Sequence, residues 1–185
     1  MRRAGVVLLC LIGLGLLVQG GAIQAKAWLA QGLLERAWAQ TRIDGEIHRP
    51  WPWADHWPVA RLVLPRTGQA FVVLSGDSGN VLAFAPGLSR ASGAPDGRRT
   101  ALISGHRDTH FHRLDALRPG DTVWLETASG RQRYRVEGQT VVDARRQRVA
   151  LRDDARLLLA TCWPLDAAVP GGPLRYLVTA RRDEG

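Results

Sequence analysis

Cys162 closes the apolar run Leu157-Leu158-Leu159-Ala160-Thr161 and is followed at once by Trp163-Pro164. That spacing puts the thiol at the C-terminal mouth of a buried strand, a rigid place from which a nucleophile can act. The other cysteine, Cys10, lies in an apolar N-terminal stretch, so the two are not expected to pair. In an oxidising compartment thiols are paired or damaged, so a lone one calls for a reason. It is either an inert small hydrophobe or a reactive group.

His106 supplies the chemistry that would make it reactive. It follows the apolar run Ala101-Leu102-Ile103-Ser104 across Gly105, so it too stands at a strand end. Free cysteine is only a few per cent thiolate at neutral pH, and an imidazole within reach makes it a usable nucleophile. Arg175, in the strand-like Leu174-Arg175-Tyr176-Leu177-Val178, returns beside Cys162 if a hairpin starts at Trp163. A guanidinium there can donate to the oxyanion of a tetrahedral intermediate. An outward-facing arginine on an edge strand is the plain alternative. His106, Asp108, His110 and His112 are metal-ligand types, but Gly105 and the polar run after it imply a turn that would not aim all four at one point. No metal and no cofactor are expected.

Positioning such residues takes a β framework. Short apolar runs recur at 59–64, 70–74, 81–85, 100–104, 122–126, 134–136, 140–142, 157–161 and 174–180, separated by Gly, Pro, Asn and Asp turns. This pattern, with little helix between the runs, predicts a mainly β fold, a closed barrel or sandwich. With 185 residues, 45% of them hydrophobic and 23% charged, the chain supports one domain with a real core and is not disordered or low in complexity. The formal net charge of +8 comes from arginines spread singly, Lys26 being the only lysine, and the aromatics do not interleave with them. No nucleic-acid partner is expected.

Ahead of the β pattern, Ala4 to Val18 carries no polar residue and the apolar character runs on to Ile23, about the 20 residues needed to cross a bilayer. Arg2 and Arg3 precede it, which predicts a single-pass anchor with a cytoplasmic N-terminus and the domain outside the inner membrane. A cleavable signal ending near Ala25-Lys26-Ala27 is the rival. Trp28, Leu29, Leu33, Ala37 and Trp38 fall near helical spacing, predicting an amphipathic helix to about Arg42. Pro50, Pro52 and Pro58 then impose an extended linker, whose tryptophans are expected to wrap it onto the domain. The chain divides into an anchor (1–23), a membrane-proximal helix and linker (24–58) and a catalytic barrel (59–185).

The motifs taken together resemble the sortase family. Leu158-Leu159-Ala160-Thr161-Cys162 is similar to the sortase strand in which Thr directly precedes the cysteine; Ser104-Gly105-His106-Arg107-Asp108-Thr109-His110-Phe111 resembles the sortase histidine segment, and Arg175-Tyr176-Leu177-Val178 the arginine strand. The N-terminal span and the Pro/Trp lead-in look most like the Gram-negative class of sortases. The resemblance implies a closed eight-stranded sortase barrel with an N-terminal transmembrane helix and short helices. It also implies a membrane-bound cysteine transpeptidase that cleaves an LPxTG-like sorting signal between Thr and Gly and passes the acyl group to an amine acceptor. By the same resemblance Cys162 is the nucleophile, His106 the general acid and base, Arg175 the group that holds substrate and oxyanion, and Thr161 a neighbour in substrate binding.

The chain itself contains Leu64-Pro65-Arg66-Thr67-Gly68, an LPxTG match between two expected strands and without the apolar tail of a sorting signal, so it is taken as coincidence. Two other readings compete: a peptidoglycan-acting cysteine L,D-transpeptidase, whose Ser-x-Gly-Cys pattern is absent, and a membrane-anchored binding module with an inert thiol.

Overall fold

Among the residues described by the computed structural model, 2–167, 169 and 171–183, eight strands close into a barrel in the order β1-β2-β3-β4-β7-β8-β6-β5. The strands are β1 (Pro58–Leu64), β2 (Gln69–Ser75), β3 (Gly87–Leu88), β4 (Ala101–Ser104), β5 (Thr122–Thr127), β6 (Gly130–Asp143), β7 (Arg156–Cys162) and β8 (Leu174–Arg182). Pairing is antiparallel except for β2 with β3 and β4 with β7. Alternation along the strands fills the interior: Leu62, Leu64, Ile103, Leu125, Leu157, Leu159 and Val178 are fully buried in one core with Phe111 and Tyr134.

Two expectations about strands need correcting. The run 81–85 is not a strand: Gly79–Leu82 forms a short helix, α2, and Val81 and Ala85, one helical turn apart, both pack against Val72 and Leu74. An apolar run this short carries no periodicity that separates the two conformations. The runs 134–136 and 140–142 belong to one strand, β6, whose register shifts between Val136 and Gly138. A bulge of this kind changes which face a residue shows, and so hides the continuity of the strand.

Helix α1 spans Arg2–Asp44. Its buried stripe is Leu34, Ala37, Trp38 and Thr41, laid on Val72 and Leu74 of β2, while Trp28 and Leu29, which share the helical spacing with Ala37 and Trp38, are exposed. Glu35 pairs with Arg61 of β1 at 2.5 Å, and Gln31 donates to the Phe84 carbonyl at 2.7 Å. The expected span from Ala4 to Ile23 lies in α1, but the side chains of residues 4, 6–10 and 23 fall outside the described residues, and among the described residues no helix is long and apolar enough to cross a membrane. The proline-rich linker does wrap back: Trp51, His56 and Phe84 form an aromatic cluster with centroids 5.2–5.3 Å apart, whereas Trp53 stays in solvent.

Candidate active site

Along β7 the side chains alternate between the core, which takes Leu157, Leu159 and Thr161, and the outer face, which carries Leu158, Ala160 and Cys162. On one flank, β4 runs parallel in the register Ser104 to Ala160, and Gly105 N donates to Ala160 O at 3.0 Å. The Thr161 hydroxyl donates to Gly105 O at 2.8 Å. These bonds fix the residue before His106 to the two residues before Cys162, so the histidine emerges, exposed, at the same end of the barrel as the thiol. On the other flank, antiparallel β8 places Arg175 directly opposite Cys162, and Trp163 N donates to Leu174 O at 3.1 Å.

Gly105 is required at the bend. A Cβ there would lie 2.7 Å from the ring of Phe111, a side chain locked in the core. Thr161, expected beside the substrate, faces inward at 3% exposure, so it bears on the site through the Gly105 carbonyl it holds. The Arg175 guanidinium is half-buried and donates through Nη1 to the carbonyls of Gly172 and Leu174 at 2.9 and 2.8 Å, which orients it at the loop after Cys162.

Arg107 was missed in the sequence, one arginine among many. It is 5% exposed, donates through Nε to Asp108 Oδ1 at 2.7 Å and through Nη1 to Pro164 O at 2.9 Å, and so clamps the histidine segment to the loop just beyond Cys162. The bond to Asp108 pushes the guanidinium further up from its ordinary range, Cys162 and Asp166 adding to it, and Arg107 holds the Asp108 carboxyl below its ordinary value. Its signal in the sequence was the charge placed directly after the histidine.

The remaining histidines are engaged elsewhere. His110 packs edge-on against Phe71 with centroids 5.8 Å apart; burial first, and then His106, push its imidazole below the ordinary value. His112 Nδ1 bonds the Thr109 carbonyl at 2.7 Å. Among the described residues no group of three His, Cys, Asp or Glu comes together to hold a metal.

On the outer face of β7 and β8, past the Ala160–Leu177 rung from Cys162, lies a cavity of about 460 Å³ whose lining mixes Leu158, Leu177 and Val142 with Arg148, Arg152 and Asp154. The internal motif at 64–68 is not a presentable signal: Leu64 is in the core, Thr67 is buried, and Thr67 N donates to Leu64 O at 3.1 Å in the tight turn joining β1 to β2.

The Sortase domain model matches residues 62–183. The chain belongs to the sortase family. The matched stretch starts inside β1 and takes in every strand that carries the site. Sortase D of Bacillus subtilis (strain 168) is 28% identical over 123 residues, 65% of this chain, and the chain spans 62% of that relative's length. The sortase fold recurs in solved structures: the Clostridium perfringens Sortase D5 transpeptidase has a TM-score of 0.68 at 19% identity, covering 84% of this chain and 98% of the other. Sortase A from Corynebacterium diphtheriae has a TM-score of 0.61 at 21% identity, covering 72% and 64%.

Proposed function

We propose that this sortase is a membrane-anchored cysteine transpeptidase acting on an LPxTG-like signal. The observation that carries the reading is the register that puts Cys162 opposite Arg175 on one flank of β7 while the parallel β4 delivers His106 on the other. With the Cys162 thiol proton passed to His106, the Sγ thiolate attacks the carbonyl carbon of the signal's Thr, the carbonyl π electrons move onto oxygen, and a C–S bond forms. Arg175 donates to that oxygen, whose charge exists in the intermediate and not in the substrate. The Thr–Gly C–N bond then breaks, the departing amine takes a proton from His106, and a thioester remains on Cys162. An incoming amine attacks the thioester, gives a proton to His106, and expels the thiolate, which restores the enzyme.

The cavity beyond Leu158 fits the same substrate. A leucine three residues before the Thr lies about 10 Å back along an extended chain, and Leu158 is four residues, about 13 Å, from Cys162. Exposed Leu11, Ile12, Leu14, Leu16, Leu17 and Val18 surround α1 on all sides, as suits a helix whose solvent is lipid. With Arg2 and Arg3 before it, the reading is a single-pass protein of the inner membrane with the barrel outside the cytoplasm, of the Gram-negative class.

The deciding experiment incubates the full chain in nonionic detergent with an LPxTG-type peptide and follows intact mass. A thioester adduct that maps to Cys162, is released by an added amine and is absent from Cys162→Ala is the expected result. Turnover that persists in Cys162→Ala would overturn the assignment.

A further inference from the structure

The outer face of the β7–β8 pair reads as a track. Its rungs, in register, are Cys162 with Arg175, Ala160 with Leu177, Leu158 with Thr179, and Arg156 with Arg181. The reactive pair is thus at one end and an arginine pair at the other, with small and apolar side chains between. Arg181 is also opposite Arg135 of β6, so three arginines stand side by side across β6, β8 and β7. Like charges directly opposite one another are unfavourable in a sheet. Asp154 and Glu137 approach Arg156 at 3.0 and 3.4 Å, and Asp183 approaches Arg135 at 3.2 Å, which offsets part of the repulsion.

At this end a second cavity of about 500 Å³ opens, lined by Arg98, Asp153, Asp154, Arg156, Arg181 and Arg182 among others. It shares Asp154 and Arg156 with the first cavity, so the two adjoin in a groove at the Arg156 rung. Its lining carries four arginines against two aspartates.

We infer that this arginine end binds an acidic segment of the protein substrate, lying N-terminal to the signal it is sorted by. The inference rests on the transpeptidase reading above. Polarity follows from the groove: with the Thr carbonyl at Cys162 and the apolar leucine of the signal in the cavity over Leu158 and Leu177, the chain preceding that leucine must run toward Arg156. Arg156 is six residues from Cys162 along β7, about 20 Å, which places the acidic contact about six residues before the Thr. Charge at this distance from the reacting atoms acts on capture of the substrate and leaves the chemical step alone.

The test compares three peptides on the full chain in nonionic detergent, each with the same signal and with glutamates, serines or lysines at the fifth to seventh positions before the Thr. The glutamate peptide is expected to gain about 10-fold in kcat/KM over the serine peptide at low salt, and to lose most of the gain at about 0.5 M salt, where the screening length is a few ångströms. The double variant Arg98→Glu/Arg181→Glu changes two exposed side chains outside the catalytic group, and it should abolish the gain while leaving serine-peptide turnover as it was. Equal turnover of the glutamate and serine peptides, or a gain that survives the double reversal, would overturn the inference. A labelled glutamate block without any sorting signal, followed by fluorescence anisotropy, separates the two readings. If no peptide is cleaved yet the block binds and the double variant releases it, the arginine end stands and the transpeptidase assignment falls; no binding removes the arginine end. Binding to phosphatidylglycerol vesicles that the double variant loses, with no effect of peptide charge, would overturn the inference in favour of a lipid surface.

Discussion

Cys162 and Arg175 face each other across the last rung of the β7–β8 ladder, and the arginine's Nη1 is held by the carbonyls of Gly172 and Leu174. A guanidinium fixed in this way offers donors in a set direction, which a lysine ammonium on a flexible stem cannot reproduce. Arg175→Lys should fold normally and lose roughly 10²-fold in kcat, the scale of removing one oxyanion donor. Steady-state turnover with circular dichroism checks it. Near-normal turnover in Arg175→Ala would remove Arg175 from the site.

Gly105 and Phe111 make a second pair with a sharp consequence. The Cβ of an alanine at 105 would sit inside the contact distance of a ring that is 1% exposed and has no room to withdraw. Gly105→Ala should cost about 1–3 kcal/mol of stability and displace His106, so turnover falls with the melting temperature. Adding Phe111→Leu should restore part of the turnover even though it removes core volume. If the double variant is no better than the single, the steric account is wrong.

Much of this arrangement is legible in the sequence because the strands that carry the site are strongly patterned. Leu157 to Thr161 and Ala101 to Ser104 each end at a break residue, so Cys162 and His106 announce themselves as strand-end groups. Arg175 is readable for a different reason: an antiparallel hairpin returns the next strand to the same end. What stayed hidden depends on packing between distant segments. The inward aim of Thr161 follows from β7 register, and the burial of Arg107 follows from the Pro164 carbonyl 57 residues away. Of the spacing expected on α1, Ala37 and Trp38 are buried, joined by Leu34, while Trp28 and Leu29 stay exposed because β2 offers an apolar surface only to the helix's C-terminal part.

That packing makes the C-terminal part of α1 a structural member of the domain. Leu34 and Trp38 are buried against Val72, Leu74, Val81 and Ala85. A chain starting at residue 43 should therefore be poorly soluble and unfold at lower temperature, while one starting at Lys26 keeps these contacts and the Gln31 bond to Phe84. Trp38→Ala in the full chain should cost about 3–5 kcal/mol. Thermal unfolding of the three proteins checks it, and equal midpoints for starts at residues 26 and 43 would show that α1 merely tethers the barrel.

His110 gives the stability a pH dependence whose sign is fixed by burial. Its imidazole is half-buried against Phe71 beside His106, and both burial and that neighbour lower its pKa from the ordinary value near 6.5. In the unfolded chain the group therefore binds a proton at a higher pH than in the folded one. Wherever the unfolded state binds more protons, stability rises with pH. The contribution of His110 is thus fully present well above pH 6.5 and is lost as pH falls through that value toward the depressed folded one. The carboxylates of Asp44, Asp55 and Asp108 act in a separate, more acid window, because their pKa values are depressed from 3.8 and their contribution is lost only as pH drops below it. Denaturant unfolding at pH 7.5, 6.5, 5.5, 4.5, 3.5 and 2.5 separates the two. His110→Gln, which does not titrate, should flatten the fall between about pH 7 and 5 while leaving the loss below about pH 4 in place. A variant that keeps the full slope between pH 7 and 5 would assign that slope to another group and leave His110 with packing as its only role.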